Sequence, residues 1–117
     1  MGNLKYTIDR YDYSLELQPT DEGVRSKTFA TISLFSEGRN VADLNFLNPG
    51  ETPDRKYFAG HQLNIDLIYE KFAPTIDLLR HEKPLRLLVW HGGTTENPTH
   101  IEARLDKGDL ERVGQNN

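Results

Sequence analysis

The sequence predicts an α+β domain, a mostly antiparallel sheet of about six strands with one short helix packed on one face. Apolar and polar residues alternate through most of the chain, which is the two-residue period of a half-buried strand. Only the segment around 70–82 changes to the wider apolar spacing of a helix. Clusters of Gly, Pro, Asn and Asp separate these segments and indicate turns.

Two alternating runs open the chain. Leu4, Tyr6 and Ile8 share one parity, and the residues of 11–17 continue the alternation on the other parity. This change around Asp9 and Arg10 predicts a bulge or a bend. The cluster QPTDEG at 18–23 predicts a turn.

The middle of the chain predicts a hairpin followed by a long connection. Residues 27–35 are rich in β-branched and aromatic side chains, and 36–40 is short enough to join them to a strand at 41–47. Alternation in 41–47 puts Ala42, Leu44 and Phe46 on one face and Val41, Asp43 and Asn45 on the other. We therefore expect one side of the sheet to face water. Residues 48–60 lack a period and contain two Pro and two Gly, which predicts a long loop.

Alternation of apolar and polar residues resumes at 62–69 and predicts a strand. Asp66 lies between apolar residues of this strand and could be a buried acid, but a position on the water-facing side of the sheet is the simpler explanation. The helix follows at about 70–82, with Phe72, Ile76 and Leu79 facing the sheet and Pro74 in its first turn. Pro84 ends it. The nearly continuous apolar run 85–90 predicts a strand that is central or covered on both faces, and 100–106 predicts a last alternating strand.

Composition limits the classes of protein that fit. The chain has 117 residues and no Cys, and its formal net charge is −4. We expect one domain over 1–106 and a polar, partly disordered tail over 107–117. We also expect a soluble cytoplasmic protein with no membrane segment, no cofactor and no metal site. The acidic balance argues against nucleic acid as a partner.

Two segments offer candidate site residues. His91 and His100 flank a loop rich in Gly, Thr and Pro, and they are candidates for an acid/base or metal-binding pair, although turn geometry explains the loop more simply. In the predicted 48–60 loop and just after it, Arg55, Tyr57, Phe58 and His61 are candidates for binding a ligand or a partner. The alternative is that the two aromatic rings cover the end of the core.

The segment from Leu63 to Val89 ends its helix with DLLR and continues with HEKP and a strand. It resembles a strand–helix–strand pattern in short bacterial proteins of unknown activity, which implies a bacterial single-domain protein and no particular chemistry. The order of four strands and a helix is also similar to that of PUR-type repeats, which implies binding of single-stranded nucleic acid and dimerisation.

These observations favour a non-enzymatic binding or interaction module with an unknown protein or small-molecule partner, which could pair with itself through its sheet as a homo-oligomer. Two alternatives stay open. One is a small metal-dependent or acid/base hydrolase that uses His91 and His100. The other is a single-stranded nucleic-acid-binding protein that uses the water-facing side of the sheet and residues 55–58.

Overall fold

The structure is a computed structural model that describes residues 2–17 and 27–107. Within these residues the fold is α+β, with one α-helix and eight strands in two sheets. The prediction of a single sheet of about six strands is therefore wrong. The strands are β1 Gly2–Ile8, β2 Arg10–Leu15, β3 Thr28–Ser36, β4 Arg39–Leu47, β5 Lys56–Ala59, β6 Gln62–Leu67, β7 Leu85–Gly93 and β8 Pro98–Asp106; the helix α1 is Phe72–His81.

The chain passes from one sheet to the other at the predicted bend. One sheet has three strands in the order β1-β7-β8, and the other has five in the order β2-β3-β4-β6-β5. Asp9 lies between β1 and β2. Its backbone N–H donates to the Phe35 carbonyl at 3.0 Å, and its carboxylate accepts from the Glu37 N–H at 2.8 Å. The change of parity thus reflects a change of sheet.

A hairpin joins β3 to β4, as the sequence predicts, but its turn consists of two residues and is shorter than the predicted 36–40 connection. Glu37 and Gly38 both have positive φ, 53° and 79°, which matches the right-handed twist of a hairpin. Pairing of β3 with β4 shifts register between Leu34 and Phe35, and this irregularity accounts for the burial of Val41 beside Ala42.

The prediction of a loop over the whole of 48–60 is wrong. The last residues of this segment form β5, which pairs antiparallel with β6 through a turn at Gly60 and His61. β6 then lies between β5 and β4 and runs parallel to β4. The prediction that strand 62–69 continues to Tyr69 is also wrong, because β6 ends at Leu67 and Tyr69 begins a 3₁₀ turn.

One hydrophobic core lies between the two sheets, and α1 covers part of it. The prediction for the helix is confirmed: Ile76 and Leu79 are buried, and Phe72 packs against the core. The ring of Phe72 is 5.3 Å from that of Phe46 and 5.1 Å from that of Phe29, both edge-on. The helix therefore attaches to the inner side of the five-stranded sheet.

The apolar strand predicted at 85–90 corresponds to β7, the central strand of the three-stranded sheet. Its residues Leu85, Leu87 and Val89 point into the core. Within the described residues, no helix is long and apolar enough to span a membrane. Most of the predicted polar tail at 107–117 lies outside the described residues.

Candidate functional site

The outer side of the five-stranded sheet carries a continuous band of polar side chains, which we call the polar face. Register places Ser33, Asp43 and Asn64 in one row across β3, β4 and β6, and Thr31, Asn45 and Asp66 in the next row. Neighbours in a row share one face of the sheet, since cross-strand partners point to the same side. The parallel pairing of β4 with β6 is what brings the two halves of this band together.

Side-chain hydrogen bonds connect the β3 and β4 parts of the polar face. The Ser33 hydroxyl donates to Asp43 Oδ1 at 2.8 Å, and the Asn40 amide donates to the same oxygen at 3.0 Å. The Thr31 hydroxyl donates to Asn45 Oδ1 at 3.1 Å. These bonds fix the side chains before any ligand arrives, which lowers the entropy that binding would cost.

An ion pair closes the β5 side of the polar face. Arg55 Nε and Nη2 donate to Asp66 Oδ2 and Oδ1 at 3.2 and 3.4 Å. The Asp66 side chain is only 3% exposed, whereas that of Arg55 is 58% exposed. The hydrogen bond from Arg55 and the charge of Asp66 raise the pKa of Arg55. Asp66 is therefore a buried acid, and the water-facing position expected for it is wrong.

A cavity of about 340 Å³ lies next to this ion pair. Its lining includes Lys27, Asp54, Arg55 and Asp66. The two acids and two bases make it a polar recess at the border of the polar face.

The four predicted binding residues do not all reach the same place. Tyr57 pairs with Asn64 across β5 and β6, so it lies at the border of the polar face beside Arg55, and it is 42% exposed. Phe58 has the opposite parity and packs on the core, with its ring 5.5 Å from that of His91. His61 is exposed in the turn after β5. Arg55 and Tyr57 are thus the pair that the structure brings together.

The structure does not bring His91 and His100 together. His91 is buried on the inner side of β7, where its ring packs against Gly2 and Phe58. His100 is exposed, and its ring lies over Gly92, on the outer side of the sheet. Pairing of β7 with β8 shifts register here, so that two residues of β8 face Gly92.

Within the described part of the chain, no cluster of three or more His, Asp or Glu side chains has an arrangement that could hold a metal ion. Comparison of the chain with protein-family models, with curated proteins and with solved structures finds no match.

Proposed function

We propose that this protein is a non-enzymatic binding module and that the polar face, with Arg55 and Tyr57 at its β5 border, is its recognition surface. The observation that carries the proposal is the hydrogen-bonded arrangement of side chains on β3 and β4, which the parallel register places beside Asn64 and Asp66 of β6. A rigid array of this kind on a sheet positions donors and acceptors more accurately than a loop does.

The chemistry of the polar face favours an uncharged ligand that is rich in hydroxyl groups, such as an oligosaccharide. Carboxylates accept hydrogen bonds, and side-chain amides and hydroxyl groups both donate and accept them. The exposed ring of Tyr57 adds an apolar surface with a polar tip at the border of the array. Together they match a ligand that alternates hydroxyl groups with apolar C–H surface.

Charge disfavours a polyanion on the same surface. Asp12, Asp43 and Asp66 lie on the outer side of the sheet with Arg10 and Arg55, and the bordering recess adds Asp54 and Lys27. The four carboxylates thus outnumber the three basic groups. Single-stranded nucleic acid would meet a net negative field. Tyr57 and Phe58 also point to opposite sides of β5, so the two rings cannot together stack on the bases of a single strand.

The test is a nuclear magnetic resonance titration of ¹⁵N-labelled protein with neutral hexasaccharides of glucose and of N-acetylglucosamine. We expect saturable shifts at the backbone amides of Asp43, Asn64 and Tyr57, because these positions lie in one row of the polar face. We expect Tyr57→Ala to weaken binding about tenfold, on the order of one good contact. Tyr69→Ala is the matched control, since Tyr69 is 43% exposed but lies away from the polar face.

Three results would contradict the proposal. Shifts that cluster away from the polar face would reject the surface. Absence of shifts at millimolar hexasaccharide would reject the ligand class. Salt-dependent binding of a thymidine oligonucleotide on the polar face would favour the nucleic-acid alternative instead.

A further inference from the structure

β8 is the longest edge strand in the described part of the chain. β8 has nine residues and pairs with β7 on one side, and no described strand pairs with its other side. The other edge strands are β1 of the same sheet, with seven residues, and β2 and β5 of the five-stranded sheet, with six and four. An unpaired edge presents backbone donors and acceptors to which another strand can add.

The apolar positions of β8 are self-complementary. If two copies of β8 pair antiparallel about Ala103, Ile101 of each copy faces Leu105 of the other. Both residues lie on the inner side of the three-stranded sheet, where Ile101 is buried and Leu105 packs on the core. Partners across an antiparallel pair share a face, so the inner side of the combined sheet stays apolar.

The charged positions select the same register. Pairing about Ala103 places Glu102 of each copy opposite Arg104 of the other, on the outer side of the sheet. Moving the centre by one residue places Glu102 opposite Glu102, or Arg104 opposite Arg104, and like charges directly opposite each other are destabilising. Charged residues that only protect a strand edge from pairing need not be opposite in sign to their own symmetry mates. Glu102 and Arg104 are opposite in sign, so each complements the other in a second copy.

An apolar cavity adjoins this edge. It has a volume of about 320 Å³ and lies between β8, β6 and α1. Its lining is mostly apolar, with Leu44, Ile65, Leu67, Leu78, Ala103 and Leu105, and it also includes Lys71, Thr75 and Arg104. The core is therefore accessible along the β8 edge, and a second strand there would reduce the contact of this apolar surface with water.

From this edge we infer that the protein forms a homodimer in which two β8 strands pair antiparallel about Ala103. The two three-stranded sheets then join into one sheet of six strands. This gives the self-association expected from the sequence a specific edge and register. The dimer does not depend on the ligand of the polar face, which belongs to the other sheet.

Charge reversal tests the register. Glu102→Arg and Arg104→Glu each place like charges opposite each other at two symmetric positions, so we expect each to weaken the dimer about tenfold or more. The double variant E102R/R104E restores opposite charges and should recover most of the affinity. An equimolar mixture of the two single variants should form heterodimers, because each supplies the charges that the other lacks.

The measurement is sedimentation equilibrium from about 1 to 200 μM protein, a range chosen to include weak dimers. Circular dichroism checks that each variant is folded. Glu51→Arg is the control, since Glu51 is exposed in the 48–55 connection and the net charge changes as in Glu102→Arg. A wild-type monomer throughout this range, or a dimer equally stable in both single variants, would overturn the inference. Neither result would affect the hexasaccharide titration.

Discussion

The hydrogen bonds around Asp43 give the most specific energetic prediction. Ser33→Ala removes one bond to the carboxylate, at 2.8 Å, and should lower the free energy of unfolding by about 1 kcal/mol. Asp43→Ala removes that bond and the one from Asn40, and should lower the free energy by about 2–3 kcal/mol. Because the two variants remove a common bond, the double variant should cost about 1 kcal/mol less than the sum of the two.

The assay is urea unfolding followed by far-ultraviolet circular dichroism and by the fluorescence of Trp90. Asp12→Ala is the matched control. Asp12 pairs only with Arg10 among the contacts described for it, at 3.7 Å with both side chains more than half exposed, so its loss should change stability by less than about 0.5 kcal/mol. If the costs of Ser33→Ala and Asp43→Ala add to within about 0.3 kcal/mol, the two side chains do not interact and the polar face is not prearranged.

Two further predictions concern the strand ends at β7 and β8. His91→Ala should lower the free energy of unfolding by about 2 kcal/mol, because it leaves a cavity in the core. His100→Ala should change it by less than about 0.5 kcal/mol, because His100 is exposed. Equal losses of stability in urea unfolding would contradict the difference in burial between His91 and His100. Gly92→Ala should lower the free energy by about 1–3 kcal/mol, because the added carbon would lie 2.7 Å from Nδ1 of His100 and would overlap Thr99. A melting temperature equal to that of the wild type would show that this contact is absent.

Local patterns predicted the elements that have a clear period. The helix was predicted because Phe72, Ile76 and Leu79 recur at helical spacing, and the structure buries that face. The β3–β4 hairpin was predicted from its short Gly-containing connection. Both signals arise within a few residues of the chain, where sequence and structure are directly linked.

Pairing between distant segments could not be predicted in this way. The four residues of β5 are too few to show the alternation of a strand, and they follow a connection whose Pro and Gly indicate a loop. The bend at Asp9 was visible, but nothing local indicates that β1 and β2 belong to different sheets. The parallel pairing of β4 with β6 also has no local sequence signal. Alternation of apolar and polar residues shows which face of the sheet a side chain lies on, but it does not show which strand is the neighbour.

The candidate site was predicted only in part for the same reason. Arg55 and Tyr57 were identified from the charge and aromatic character of their segment, and alternation along β5 puts both at the border of the polar face. The same alternation turns Phe58 inward, which follows only once that segment is known to be a strand. The burial of Asp66 depends on Arg55, eleven residues earlier, which the hairpin brings across from it.

The polar face exists only if β4 and β6 lie side by side and run parallel. Nuclear Overhauser contacts between backbone protons on the two strands test this pairing most directly. We expect contacts that place Asp43 beside Asn64 and Asn45 beside Asp66, together with the antiparallel contacts of Tyr57 with Asn64. Contacts that pair β4 with another strand at these positions would remove Asn64 and Asp66 from the two rows. That result would contradict the proposed recognition surface.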